Sequence, residues 1–265
     1  MIRSARLFSP RLTRALAGIG LTLALTAGML HPVRAADITP EQKTAIEAIV
    51  RGYIINHPEV LQEAMVELEK RQQQAQQSAQ REALATEKAT LFDSPHATVI
   101  GNPKGDVTLV EFFDYNCPYC KRALGDVTEL AKADPNLRII VRDFPMLGQE
   151  SVEASKVALA VKQQLASDKF FEFHTKLMGT KGRVGKERAV AVAKELGVDM
   201  TRLAKDEASP EIQSAIDESV RLGDKLGLTG TPSFVIGDEV VSGAVGVEPL
   251  KQAVAAVRKC GKATC

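Results

Sequence analysis

The spacing of apolar residues changes character along the chain. Residues 15–30 form an uninterrupted run of apolar and small residues, ALAGIGLTLALTAGML, preceded by Arg3, Arg6, Arg11 and Arg14. From residue 39 the period becomes helical. Ile46, Ile49, Val50, Tyr53 and Ile54, then Leu61, Met65 and Leu68, recur at the steps that line one helix face. Thr39-Pro40-Glu41 supplies an N-cap and a first-turn proline, and Asn56-His57-Pro58-Glu59 restarts a helix in the same manner. With no Gly or Pro from Glu59 to Phe92, one long helix is predicted there, with an apolar stripe too narrow to bury by itself. Such a helix pairs with other copies of itself or with the domain that follows. Residues 36–92 therefore read as a helical oligomerisation stalk.

Turn residues at Asp93-Ser94-Pro95 and Gly101-Asn102-Pro103-Lys104-Gly105 open a second domain, 93–265. Residues 107–113 (VTLVEFF) and 137–141 (LRIIV) are β-branched and apolar runs of strand length. A helix is predicted between them, from Pro118 to about Ala131. Residues 150–226 keep a helical period, broken at Gly179, Gly182, Gly185, Gly197 and Pro210. Residues 233–236 and 239–242 flank Gly237-Asp238, a hairpin signal, and residues 247–257 close the chain with a helix. The order β-α-β, helical block, β-β-α defines an α/β domain: a parallel pair with a right-handed crossover, then an antiparallel pair.

The amino-terminal pattern adds a compartment. A basic start, an apolar core and Val33-Arg34-Ala35 read as a secretory signal peptide, residues 1–35, cleaved after Ala35. The run is short for a membrane span. Removing five arginines leaves 29 bases against 33 acids, a net charge of about −4, which argues against a nucleic-acid partner. Four cysteines in an exported chain meet an oxidising space, the periplasm, where disulfides persist.

The chemistry concentrates in EFFDYNCPYCKRAL. Cys117 stands where a strand ends and a helix begins, facing unpaired N–H groups and the positive end of the helix dipole, which lower a thiol pKa. Pro118 suits the first helical position, and Cys120 lies about one turn further in. An exposed thiolate that attacks and a sheltered thiol that resolves is the asymmetry dithiol exchange requires. Glu111, a lone acid in an apolar strand, should carry a raised pKa and take the proton of Cys120. Thr231-Pro232, at the start of a strand, is a candidate cis-proline site whose Thr231 backbone would be free to pair with an extended peptide. Cys260 and Cys265, around Gly261, read as a terminal structural disulfide. His174, in FFEFHTKL, reads as core or surface rather than as a ligand.

These residues carry a resemblance. VEFFDYNCPYCKRAL, RDFPMLGQES (142–151) and TGTPSFVIGDEVVSGAVG (229–246) resemble the DsbA-like branch of the thioredoxin superfamily. The resemblance implies a thioredoxin fold with a helical insertion at about 147–227. It also implies nucleophile Cys117, resolving Cys120, buried acid Glu111, and a substrate groove at Pro118, Tyr119, Thr231 and cis-Pro232. Tyr119 stands where the best-known DsbA has His. The amino-terminal segment is similar to that of stalked, DsbC-like oligomeric members, including the suppressor-of-copper-sensitivity (ScsC) proteins.

The expected function is an exported protein disulfide oxidoreductase or isomerase acting on cysteine-containing exported proteins, recharged by a membrane redox partner. No cofactor is expected, and the chain is expected to form a homo-oligomer, a trimer first and a dimer second. The rival is a periplasmic Cu(I)-binding or copper-tolerance protein using the same soft thiolates. A structural zinc site is disfavoured, because Cys260 and Cys265 are not a second CxxC unit and His57, His96 and His174 lie far from any cysteine in sequence.

Overall fold

A computed structural model describes residues 38–265. The signal peptide read from residues 1–35 lies outside the described residues. The chain divides into two compact units, one ending at Ala64 and the other running from Met65 to Cys265.

The first unit holds helix α1 (Pro40–Asn56) and the start of α2 (Glu59–Thr86). Thr39 caps α1 as its composition demands. The Gln42 N–H donates to Thr39 Oγ1 at 3.2 Å, and the Thr39 N–H donates to Gln42 Oε1 at 3.0 Å, a reciprocal capping box. No residue of α1 is buried, so Ile46, Ile49, Val50 and Tyr53 stand in solvent, as do Leu61, Met65 and Leu68 of α2.

The single long helix predicted for residues 59–92 is broken. α2 ends at Thr86, and a short helix α3 (Lys88–Asp93) follows. The reason is packing: Leu84 and Leu91 are both buried in a core cluster with Val110, Phe112, Ile140, Leu222 and Leu226. Polar ties reinforce it. The Gln80 side chain donates to the Leu226 carbonyl at 2.8 Å, and Glu87 pairs with Lys225. Residues 80–92, assigned to the stalk from sequence, thus pack as part of the second unit.

That unit is a five-stranded sheet in the order β1-β3-β2-β4-β5. Strands β2 (Val107–Phe113) and β3 (Leu137–Asp143) are parallel, joined through α4 (Pro118–Ala133). Strands β4 (Ser233–Ile236) and β5 (Glu239–Ser242) form the predicted hairpin, and β4 runs antiparallel to β2. The edge strand β1 (Thr98–Gly101), antiparallel to β3, falls where the sequence signalled a linker. The helical block becomes α5 (Gln149–Lys162), α6 (Ser167–Met178), α7 (Lys186–Glu195), α8 (Met200–Glu207) and α9 (Pro210–Lys225). Helix α10 (Val247–Cys260) closes the fold.

Both sheet faces are covered, which is why β2 and β3 read as continuous apolar runs. Alternation sorts their side chains. Leu109, Phe113, Ile139 and Val141 enter the larger core with α4, α5, α6 and α10, while Val110, Phe112 and Ile140 face α3 and the end of α9. Glu111 shares the parity of Leu109 and Phe113, so the strand aims it at the layer that holds the cysteines.

Candidate active site

The strand-to-helix turn after β2 builds the site. The Cys117 N–H donates to the Asp114 carbonyl at 3.0 Å, and the Asn116 N–H donates to Asp114 Oδ1 at 2.7 Å. This turn places Cys117 at the N-cap of α4 with extended backbone, and Pro118 at the first helical position. The first N–H groups of α4 therefore surround the Cys117 sulfur.

Sequence reasoning expected an exposed Cys117 and a sheltered Cys120. Both are buried, at 5% and 1% exposure, because the Thr231 segment covers the first sulfur. The asymmetry is electrostatic instead. Hydrogen bonding from the Cys120 side chain, helped by the backbone N–H groups of Cys120 and Tyr119, brings the Cys117 thiol down to about 5. Burial, followed by the bond to Cys117 and the nearby Glu111 charge, pushes Cys120 far above the ordinary thiol range. Glu111 is 3% exposed, and burial, then the negative charges at Cys117 and Asp126, lifts its carboxyl to about 8. An acidic thiol, a thiol reluctant to ionise and a carboxyl raised toward neutrality are thus brought together.

The predicted groove residues converge on the same place. Cys117 Sγ lies 3.1 Å from the Thr231 carbonyl oxygen. The Thr231-Pro232 bond is cis, and Pro232 is buried just before β4. Pro118 and Tyr119 are exposed, and the Arg122 guanidinium stacks 4.9 Å from the Tyr119 ring centroid. Met146, Leu147 and Val245 are exposed apolar side chains that sequence reasoning did not single out.

The remaining candidates separate from the site. Cys260 and Cys265 are joined in a disulfide that closes a loop beyond α10. Within it Ala263 is buried, and its N–H donates to Asp238 at 3.1 Å, so the loop rests on the β4–β5 turn. His174 is a core residue whose Nδ1 lies 3.2 Å from the Tyr115 hydroxyl, and burial lowers its pKa to about 4. Among the described residues no group of three or more His, Cys, Asp or Glu is placed to hold a metal ion.

Sequence reasoning missed a polar knot behind Cys117. Asp114, Asn116 and Ser151 bond to one another, and Asn116 bonds further to both backbone groups of Val184. The only available signal was the Asp-x-Asn spacing ahead of Cys117, since Ser151 and Val184 lie far off in sequence.

A parallel β2–β3 pair, a CPYC turn at a helix N-terminus and a cis-proline loop facing it define a thioredoxin-type redox domain. Residues 108–255 match the model of the DsbA-like thioredoxin domain, and the chain belongs to that family. Residues 42–75 match the N-terminal domain of the copper resistance protein ScsC, which makes it a member of the ScsC type.

Solved structures agree. A thioredoxin-like oxidoreductase from Silicibacter pomeroyi is 46% identical, covering 65% of this chain and 98% of its own, with a TM-score of 0.62. A linker-deletion variant of Proteus mirabilis ScsC is 27% identical over 85% of this chain and 99% of its own, with a TM-score of 0.64. A Na(+)/H(+) antiporter NhaA 1 from Salinispora arenicola is 30% identical over 158 residues. Those residues are 59% of this chain, and the match spans only 24% of the antiporter's length.

Proposed function

We propose that this chain is an exported thiol–disulfide oxidoreductase that rearranges the disulfides of other proteins in the periplasm. The observation that carries the reading is the electrostatic split of the CPYC pair above a buried acid. Cys117 is lowered to about 5, so at neutral pH it is a thiolate, while Cys120 keeps its proton.

The reduced enzyme begins with the Cys117 thiolate attacking one sulfur of a substrate disulfide. The substrate's S–S bond breaks, its second sulfur leaves as a thiolate, and Cys117 is held in a mixed disulfide. Two exits follow. A different substrate thiolate attacks the mixed disulfide, releasing Cys117 with a new pairing and no net redox change. Otherwise Cys120 passes its proton to the ionised fraction of Glu111, which grows once the mixed disulfide removes the negative charge at Cys117, and attacks Cys117 Sγ. The substrate then leaves with two thiols, and the enzyme leaves as the Cys117–Cys120 disulfide. A membrane redox partner would restore the dithiol. Thr231, Pro232, Pro118 and Tyr119 would receive the substrate backbone beside Cys117.

The exposed stripe of α1 and early α2 supports self-association, and we take a trimer as the first arrangement and a dimer as the second. Several CPYC sites on one particle raise the effective concentration of thiolate around a scrambled substrate, which favours isomerisation. The second reading uses Cys117 and Cys120 as a two-sulfur Cu(I) site, and the ScsC-type amino terminus favours considering it. Reactivation of a scrambled disulfide protein by the reduced chain tests the main reading. Activity that needs Cys117 is expected. Tight Cu(I) binding with no thiol exchange would replace this reading with the second.

A further inference from the structure

Asp114 stands beside the cysteines, and the exchange steps above give it no role. It is fully buried, yet both oxygens are occupied by donors from three segments. Oδ1 accepts from the Asn116 N–H at 2.7 Å and from the Ser151 hydroxyl at 2.8 Å. Oδ2 accepts from the Leu147 N–H at 2.9 Å. The network continues in one direction. Ser151 Oγ, having given its proton to Asp114, accepts from the Asn116 side-chain amide at 3.0 Å. That amide also donates to the Val184 carbonyl at 2.9 Å and accepts from the Val184 N–H at 2.7 Å. Every donor in the chain has an acceptor, which fixes the Asn116 amide in one orientation.

Two consequences meet at the nucleophile. The Asn116 N–H and the Leu147 N–H bind opposite oxygens of one carboxylate, so the residue before Cys117 and the exposed Met146–Leu147 segment move together. Lys121, just after Cys120, donates to the Thr180 carbonyl at 2.7 Å and to the Gly182 carbonyl at 3.1 Å. The 180–184 loop of the insertion is thereby held on both sides of the CPYC turn. Arg183, on the same loop, donates to the Leu147 carbonyl at 3.2 Å and closes the ring of contacts.

We propose that Asp114 is a positioning residue: through Asn116, Ser151 and Leu147 it holds the Cys117 turn and the Met146–Leu147 platform at a fixed separation for a peptide substrate. The inference rests on the thiol-exchange reading and concerns the same site. Only a carboxylate can serve here. Three donors converge on Asp114, and an asparagine would turn an N–H₂ group toward at least one of them, leaving a buried donor without an acceptor. The side chain touches no reacting atom, so its effect is on geometry. A peptide that must meet both sulfur and platform should feel the loss more than a small disulfide that meets sulfur alone.

The test is Asp114→Asn in the full chain, assayed with a disulfide-containing peptide and with a low-mass aromatic disulfide. The peptide kcat/KM should fall roughly tenfold, the scale of one good hydrogen bond, mainly through KM. The rate with the small disulfide should change less than threefold. Ser151→Ala, which removes one of the three donors to Asp114 and the acceptor of one Asn116 amide proton, should act in the same direction, and it carries the test if Asp114→Asn does not fold. The two substitutions combined should cost less than the product of their separate effects, because they share one network. Equal losses on both probes, or peptide kinetics within twofold of the parent in both variants, overturn the proposal. A parent chain inactive on both probes overturns the exchange reading instead.

Discussion

The sulfur of Cys117 lies 3.1 Å from the carbonyl oxygen of Thr231, joining the start of α4 to the loop that precedes β4. The proposed chemistry brings a substrate disulfide in along that seam. On the proposed reading, the mixed disulfide it forms is resolved by Cys120. Replacing Cys120 by Ser should therefore trap substrate proteins covalently on Cys117, visible as dithiothreitol-sensitive adducts on non-reducing gels. Replacing Cys117 by Ser should abolish both adducts and turnover. Full activity in the Cys117 variant would reverse the assignment of nucleophile.

Glu111 links resolution to pH. Its carboxyl is lifted from an ordinary value of 4.5 to about 8, chiefly by burial, so the folded chain holds this proton more tightly than the unfolded chain. The stability it contributes is complete below pH 4.5 and is lost as pH rises through 8. Glu111→Gln never ionises. It should be more stable than the parent above about pH 5, by an amount that grows to about pH 8 and is on the order of a few kcal/mol. The same variant should resolve mixed disulfides about 10²-fold more slowly, the scale of a lost general base. Denaturant unfolding at several pH values and quenched-flow resolution kinetics measure the two effects. A variant that is less stable at pH 8 contradicts the burial of a raised-pKa acid.

Much of this was legible in the sequence because it is local. The strand before CPYC, the helix after it and the Gly237-Asp238 hairpin are each set by a few adjacent residues, and β4 and β5 fall on the predicted positions. The acid at Glu111 stood out because nothing else in its strand is charged. What stayed hidden depends on partners far away. The β1 strand is four residues beside a Gly-Asn-Pro turn and is fixed only by pairing with β3. The break after Thr86 is invisible to helix propensity, because it is Leu91 finding Phe112 and Ile140 that sets it. The burial of Cys117 likewise comes from Thr231, over a hundred residues on, as the separation of 114 shows.

Arg142 holds that break in place. It is 1% exposed, donates to Glu218 at 2.6 Å and to the carbonyl of Leu91 at 3.2 Å, and also bonds the Thr90 carbonyl. Arg138 takes the Phe92 carbonyl at 2.7 Å, so two arginines of β3 satisfy the last turn of α3. Arg142→Met should destabilise the second unit by roughly 3 kcal/mol, because it removes the cation facing Glu218 and the donor to the buried Leu91 carbonyl and to Thr90. Replacing Glu218 by Leu as well should recover part of the loss. Urea denaturation of the single and double variants decides it, and a single variant within 0.5 kcal/mol or so of the parent would deny Arg142 this role.

The packing of Leu84 and Leu91 changes where a truncation must fall. Deleting residues 36–64 should leave a folded monomer that keeps dithiol chemistry and loses isomerisation. Deleting residues 36–92 should strip two buried leucines from the second core and destabilise it by several kcal/mol, at about 2–5 kcal/mol for each large side chain lost. Light scattering and thermal unfolding on the mature chain and both deletions separate these outcomes. A monomeric mature chain would remove the oligomer proposal.

The proposed chemistry makes Cys117 an acidic nucleophile beside Glu111. The most direct measurement is an ultraviolet thiolate titration of the reduced chain, with Cys117→Ser as the blank. A thiolate signal, absent from the blank, is expected with a midpoint near pH 5. A midpoint at the ordinary thiol value of 9.0, or a transition that persists in Cys117→Ser, would contradict it.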